Sequence, residues 1–347
     1  MNFDVLIVGA GPAGSVAAAH LARAGRRVIV LEKTKFPRHK VCGDCLNPLV
    51  WPLLTRLDLH ERILTLPHAR ADAVEFLGAD GQRVHVPSPS TPHGELMIAR
   101  RDLDTLLIDR ATALGADFRD GITVTRVERH ADRWTLHTSD GEFRAPTVLA
   151  ADGRNSTIAR QTDRLGRTKP DRVAIQTHAP LAPDLGNTIR MIFHADGYGG
   201  LARIGDSTMN VCLVARAPRL PYLRAFAETE FGLPPTTTWR SITPLTRADS
   251  APLAADGLYL LGDAARVVEP FTGEGITYAM RSGELAANAL VHSPTPEADY
   301  RRAHRAMYRG RLWVNQLARQ ASLHPRFSSK LLRLLPLNAL TAKVVTS

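Results

Sequence analysis

Three glycines, at positions 9, 11 and 14, stand between an apolar β-branched run, Phe3 to Val8, and an alanine-rich stretch that reaches Ala24. That order suits phosphate chemistry. The first glycine permits a tight turn, the second lets a pyrophosphate approach the backbone, and the third lets a helix pack on a strand. The helix start, with Pro12 and Ala13 in its turn, offers free N–H groups and a partial positive charge to an anion. A second apolar run, Val28 to Leu31, ends at Glu32, 18 residues beyond Gly14. A carboxylate there can accept hydrogen bonds from a ribose diol and disfavours a 2′-phosphate.

Cys42 and Cys45 form a Cys-x-x-Cys pair, a spacing able to support a redox disulfide or, with a second pair, a zinc site. The chain has one further cysteine, Cys212, which alternates with core residues and is expected to be buried. With no second pair, no metal is expected, and the two thiols read first as part of a polar loop. His20, His178 and His194 each stand alone, and no acid–base residue is demanded where a cofactor carries the chemistry.

The elements that must position these groups follow from periodicity. Phe3 to Glu32 is a βαβ unit, with Gly25 as the helix stop. Thr34 to Pro48 keeps no hydrophobic period and suits a functional loop. Ala73 to Phe76 and Arg83 to Val86 alternate as strands, a Pro/Ser-rich connection follows at Pro87 to Pro92, and Arg100 to Leu114 has helical spacing. Ile122 to Val127, Trp134 to Thr138 and Val148 to Ala150 return to strands. Period-two runs from Val173 to Ala215, turning at Gly205 and Asp206, predict an antiparallel sheet. Leu258 to Leu261 is a strand again, and Ile276 to Leu290 a packed helix. α/β elements thus sit at both ends of the chain. The layout predicted is a discontinuous dinucleotide domain of residues 1–72, 96–170 and 250–295, an inserted sheet domain of residues 73–95 and 171–249, and a basic helical region over 296–347.

Leu149-Ala150-Ala151-Asp152-Gly153-Arg154-Asn155-Ser156, and Gly262-Asp263 with Pro270 and Gly273-Glu274-Gly275-Ile276 behind it, extend this pattern. With them the chain resembles the FAD-dependent oxidoreductases of the p-hydroxybenzoate hydroxylase fold. Phe36-Pro37-Arg38-His39-Lys40-Val41-Cys42-Gly43 and the run from Gly273 to Gly283 are similar to the geranylgeranyl reductase-related branch. The resemblance implies a Rossmann-like FAD/NAD(P)-binding fold, α/β with an antiparallel β substrate domain. It implies that Asp263 holds the ribityl hydroxyls, that Asp152 sits near the pyrophosphate, and that Arg100, or its neighbour Arg101, lines the cofactor channel. Lys33, Arg38, Lys40, Cys42, Gly43, Gly153, Gly262, Pro270, Gly273, Glu274, Gly275 and Ile276 complete the cofactor contacts it implies. A helix opening over Gly273 to Ile276 could aim N–H groups at the flavin edge where reduction builds negative charge.

One stretch departs from the branch. Prenyl reductases there resemble a Tyr-x-Trp-x-Phe-Pro pattern, whereas this chain reads Tyr198-Gly199-Gly200-Leu201-Ala202-Arg203. The change tilts the expectation toward monooxygenation of a lipophilic small molecule. Ene-reduction of a prenyl or polyene double bond is the alternative, and a non-catalytic flavin-binding peripheral membrane protein is the rival from another class. A single dinucleotide fingerprint implies that NAD(P)H, as electron donor, binds transiently.

At 347 residues, 44% hydrophobic and 22% charged, the composition is that of an ordinary globular protein and excludes fibrous and disordered classes. The net charge of +10 is local: residues 301–347 hold all of the excess and no acid. A neutral body with a basic tail, lacking interleaved stacking aromatics, argues against nucleic acid as a partner. Arg301, Arg302, Arg305, Arg309, Arg311 and Arg319 accompany Trp313, Val314 and Leu317. Lys330 and Arg333 follow among Leu331, Leu332, Leu334 and Leu335. This amphipathic pattern fits an interfacial helix on anionic lipid, or a face packed on its own domain. Glycines and Pro12 interrupt the apolar run from Val5 to Ala22, so neither a signal peptide nor a span is expected. A cytoplasmic protein, with membrane association through the tail as an option, is the expectation.

Overall fold

A computed structural model describes residues 3–88, 94–168, 171–234 and 236–323. Its first layer is a six-stranded sheet in the order Ala254–Ala255, Leu258–Leu260, Thr147–Ala150, Val5–Val8, Val28–Glu32, Asp117–Asp120. The last five run parallel. Val5–Val8 and Val28–Glu32 are buried along their whole length, as continuous apolar runs in a covered parallel sheet must be. The helices Pro12–Arg23, Arg100–Ala113 and Gly275–His292 pack together over this sheet. A small antiparallel sheet, Val124–His130, Arg133–Thr138 and Gly141–Ala145, packs against Val5–Val8 and Thr147–Ala150.

The second layer is a seven-stranded sheet in the order Arg240–Ile242, Val173–Pro180, Thr208–Ala215, Gly197–Arg203, Thr188–His194, Ala73–Leu77, Arg83–Pro87. Every neighbouring pair is antiparallel except Thr188–His194 with Ala73–Leu77, which lets two strands from early in the chain extend a sheet built from its middle. A three-stranded ladder, Cys45–Leu46, Glu95–Ile98 and His68–Ala71, stands between the two layers. Its small side chains Ala69 and Ala71 pack with Ala202 and Ile204 of the large sheet. The sequence-based boundary between residues 95 and 96 therefore cuts through a strand. The helix Leu220–Glu230, which packs on Thr208–Ala215, carries no signal in the sequence reading.

The basic region starts with the helix Pro296–Met307 and continues with Leu312–Leu323. Half of its six described arginines serve the body of the protein, while Arg302, Arg305 and Arg309 stay exposed. Arg301 donates to the Ala254 carbonyl, Arg311 pairs with Glu274 at 3.2 Å, and Arg319 reaches Asp171 and Thr246. Leu312 and Trp313 stay exposed. Lys330, Arg333 and the leucines around them lie outside the described residues. Among the described residues no helix is long and apolar enough to cross a membrane.

His304 anchors the first of these helices. It is fully buried between Tyr300 and Tyr308, with ring centroids 5.6 and 5.2 Å away, and neither ring nitrogen has a partner among the described residues. Burial pulls its pKa down to about 4 from 6.5. Above pH 6.5 both folded and unfolded chains are neutral there. As pH falls below 6.5 the unfolded chain takes up a proton that the folded one refuses, so stability is lost toward pH 4, by at most roughly 3 kcal/mol. Urea denaturation at pH 7 and pH 5 should show this decline, and His304→Phe should flatten it. An equal decline in the variant would assign the effect elsewhere.

Candidate active site

The three amino-terminal glycines do different work. Gly9 has φ +100, and a Cβ on it would fall 2.4 Å from the Ala151 carbonyl oxygen. On Gly14 a Cβ would fall 2.0 Å from the Gly9 carbonyl oxygen. These two hold the turn, helix and neighbouring strand together. Gly11 differs: a Cβ there would meet only guanidinium nitrogens, of Arg38 at 3.8 Å and Arg100 at 3.9 Å. The helix that starts at Pro12 has no side-chain cap and no acid in its first turn. Free N–H groups and two arginines thus surround a space that the second glycine keeps open, a fit for a pyrophosphate.

Those arginines are fixed from behind. Asp104, fully buried, pairs with Arg38 at 3.0 Å and takes Arg100 Nε and Nη2 at 2.8 Å each. Burial opposes the charge on Arg100, but the Asp104 carboxylate more than offsets it and raises the pKa. Arg38 Nε is buried without a partner among the described residues. Glu32, also buried, first serves the turn: its oxygens accept from Ala10 N at 3.0 Å and Thr34 N at 3.1 Å. Each oxygen retains a lone pair for a ribose hydroxyl. Lys33, Lys40, Cys42 and Gly43 continue along the same wall.

Beyond the turn a single cavity of about 680 Å³ runs between the layers. Gly11, Pro12, Ala13, Asp152, Gly153 and Arg154 line one stretch of it, and Gly262, Asp263, Pro270, Gly273, Gly275 and Ile276 the next. Asp152 caps the short helix Thr157–Gln161 with Oδ2, accepting from Thr157 N at 2.7 Å and Ile158 N at 3.2 Å. Its Oδ1 is buried and unpartnered among the described residues, and burial pushes its pKa up. Asp263 pairs with Arg154 at 3.0 Å. Arg247, buried and donating to the carbonyls of Arg154, Asp263 and Ala264, braces this stretch, and nothing local in the sequence marks it.

Gly273 adopts φ +67, which glycine takes without strain, and the helix after it begins at Gly275 with no side-chain cap. The Glu274 side chain does not line the cavity. Its buried carboxylate points away from the cavity, accepting from Tyr278 Oη at 3.1 Å and pairing with Arg311 at 3.2 Å. Gly14 likewise lies outside the cavity wall and acts through packing. The remaining positions named from sequence share the cavity wall, so the orphaned Asp152 and Arg38 atoms, the Gly11 space and the open Gly275 helix start are a fit for an extended dinucleotide whose ring end reaches Gly273.

Past Gly273 the wall turns apolar: Val74, Val86, Met191, Leu201 and Leu245 join three phenylalanines. Phe76 stacks on Phe193 and on Phe271, each at 6.5 Å, and Phe193 lies 5.7 Å from Phe271. The aromatic character missing from Tyr198 to Arg203 thus arrives on other segments. Gly200 in that run has Met191 Sδ only 3.3 Å from where its Cβ would stand, leaving no room for a larger residue without displacement.

All three cysteines are free and line this cavity. Cys212 is half-buried, not sequestered in the core, and donates to the Cys42 carbonyl at 3.2 Å. Burial pushes the Cys42 and Cys45 thiols up, the reverse of an attacking dithiol. Anaerobic dithionite titration of the flavin-loaded protein should therefore end after one electron pair per flavin with no thiolate charge-transfer band; a second pair taken up would establish a redox disulfide. Asp44 also escaped the sequence reading. Held at φ +56 and buried, it accepts from His178 Nε2 at 2.7 Å, Asn210 Nδ2 at 2.9 Å and Arg100 N at 3.1 Å, tying the cysteine loop to the large sheet.

The FAD binding domain family matches residues 2–189. A menaquinone reductase of Mycobacterium tuberculosis is 31% identical over 319 residues, covering 83% of this chain and 76% of its own. A geranylgeranyl diphosphate reductase of Rhodobacter capsulatus is 28% identical over 318 residues, covering 84% and 75%. Among solved structures, a flavin-dependent brominase superposes with a TM-score of 0.82 at 19% identity, over 99% of this chain and 93% of that one. At that identity the likeness concerns the fold alone.

Proposed function

The chain belongs to the FAD-dependent oxidoreductases of the geranylgeranyl reductase-related branch, and from that premise we propose that it saturates a carbon–carbon double bond in a lipophilic, isoprenoid-type substrate. The observation that carries this reading is the apolar end of the cavity, where Phe76, Phe193 and Phe271 gather beyond the Gly273 turn. A lining of this kind selects an apolar ligand by burying its surface. Of the reductases named above, one is by its name a reductase of geranylgeranyl diphosphate, an isoprenoid, which supports the same substrate class.

In this reading the Gly9 to Pro12 turn, Arg38 and Arg100 hold the pyrophosphate of FAD, while Asp263 and the Gly273 to Ile276 segment hold the ribityl chain and ring. Bound FAD supplies hydride transfer. The uncapped start of the helix Gly275–His292 favours negative charge on the reduced ring, a contribution of roughly 0.3–2 kcal/mol. The phenylalanines exclude water and orient the alkene. NAD(P)H is the donor in this proposal, visiting the site transiently.

Oxygenation is the second reading, favoured by the Tyr198 to Arg203 departure. Oxygen separates the two. Protein reduced anaerobically and mixed with geranylgeranyl diphosphate, which has no quinone ring to reduce, should reoxidise and yield a product in which one carbon–carbon double bond has gained a pair of hydrogens. Reoxidation that requires O2 and yields a hydroxylated or epoxidised product would replace this reading with the second. Stopped-flow reduction by NADH or NADPH tests the donor, and no reduction by either would remove it.

A further inference from the structure

One carboxyl in the cavity takes no part in holding the cofactor. Glu95 begins the strand Glu95–Ile98, is 8% exposed, and lines the cavity. The strand Cys45–Leu46 runs antiparallel to it with Cys45 opposite Met97, and Cys45 Sγ donates to Glu95 Oε1 at 2.7 Å. Cys45 packs against an apolar cluster of Ala69, Ala71, Met97, Ala202 and Ile204, of which Met97 and Ala202 reach the cavity wall. Among the described residues no lysine, arginine or histidine pairs with Glu95, and Oε2 has no protein partner.

A carboxylate buried without a cation pays a large desolvation cost, which protonation removes. Burial pushes the Glu95 carboxyl above its ordinary range, and the only other influence on it is the Cys45 hydrogen bond. The groups acting on Cys45 are Glu95, Cys42 and Asp44, none of them cationic, and burial pushes its thiol well up. The thiol donates to Oε1, so a proton held by the acid would sit on Oε2. A Cβ on Gly273 would stand 3.3 Å from Cys45 Sγ, so one side chain separates this acid from the turn at the flavin end of the cavity.

We propose that Glu95 is the proton donor for alkene reduction, with Cys45 orienting it; the proposal rests on the reductase reading above. Saturating C=C takes a hydride, supplied by reduced flavin to one carbon, and a proton, supplied by the Glu95 O–H to the other. The π bond and the O–H bond break, two C–H bonds form, flavin is oxidised and the alkene reduced, and water then returns a proton to the carboxylate. The apolar wall keeps the acid neutral until substrate arrives.

The test uses the full FAD-loaded chain and Glu95→Gln, which keeps the shape and an acceptor for Cys45, with Glu95→Asp as the conservative variant. Infrared difference spectra, wild type minus Glu95→Gln at neutral pH without substrate, should show a protonated carboxyl band. A carboxylate signature instead overturns the proposal whatever the activity. Anaerobic reoxidation of reduced enzyme by geranylgeranyl diphosphate should slow by about a hundredfold to ten-thousandfold in Glu95→Gln, and recover in part in Glu95→Asp, with flavin content and dithionite reduction unchanged. A wild type that turns over while Glu95→Gln keeps its rate overturns the acid role alone. A wild type inert toward geranylgeranyl diphosphate overturns the reductase reading and the acid role with it.

Discussion

Gly11→Val should yield a folded, colourless protein. The backbone at this position, φ −78 and ψ −177, is extended and open to a β-branched residue, and its Cβ would approach only guanidinium nitrogens at 3.8 and 3.9 Å. Folding therefore tolerates the change. The added carbons fill the space between the helix start and the two arginines, which denies the pyrophosphate its charge-assisted hydrogen bonds, each of about 1.5–3 kcal/mol. Loss of two raises the FAD dissociation constant roughly a hundredfold or more. Fluorescence titration of apoprotein with FAD measures it, and circular dichroism confirms the fold. Gly14→Ala is the contrast: its Cβ would meet backbone at 2.0 Å, so that variant should fail to fold. Wild-type affinity in Gly11→Val would contradict the phosphate assignment.

Glu269→Ala should be the most destabilising single change among the buried ion pairs. Glu269 and Arg172 have side chains only 1% and 2% exposed, joined through Nη1–Oε1 at 3.1 Å and Nη2–Oε2 at 2.7 Å. Tyr198 Oη donates to the same carboxylate at 3.2 Å, and Glu269 N donates to Asn315 Oδ1 at 3.2 Å. One residue thereby ties the start of the strand Val173–Pro180, the strand Gly197–Arg203 and the helix Leu312–Leu323 to the turn that leads into Gly273. Removing the carboxylate leaves a buried guanidinium undercompensated, at a cost of about 3–5 kcal/mol. The companion replacement Arg172→Met in the same chain should restore much of that loss. Urea denaturation midpoints decide it, and a cost below about 1 kcal/mol would show that solvent reaches the pair.

What was legible in the sequence was local. Gly9, Gly11 and Gly14 act within one strand, turn and helix, so their spacing alone announces the turn, and the same holds for Gly273 and Gly275. The apolar alternation over Val173 to Ala215 announced the large sheet for the same reason. Long-range pairing stayed hidden. Glu95 stands 50 residues from Cys45, and its meaning depends on that contact. Phe76, Phe193 and Phe271 form one wall from three distant segments, which no local pattern such as that sought at Tyr198 to Arg203 can announce. The pairing of the Glu274 side chain with Arg311 was equally hidden, because Arg311 lies in a tail whose charge looked destined for solvent or lipid. The strand Asp117–Asp120, half-buried at the edge of its sheet, offers no apolar run to detect.

The central claim is that flavin and a lipophilic substrate occupy adjoining stretches of one cavity. Menaquinone titrated without oxygen into the oxidised, FAD-loaded protein should shift the visible flavin bands saturably, through a common set of isosbestic points, because an apolar ligand against the Phe271 end displaces water beside the ring. A flavin spectrum that stays unchanged while the quinone demonstrably binds would place the substrate elsewhere and contradict the account.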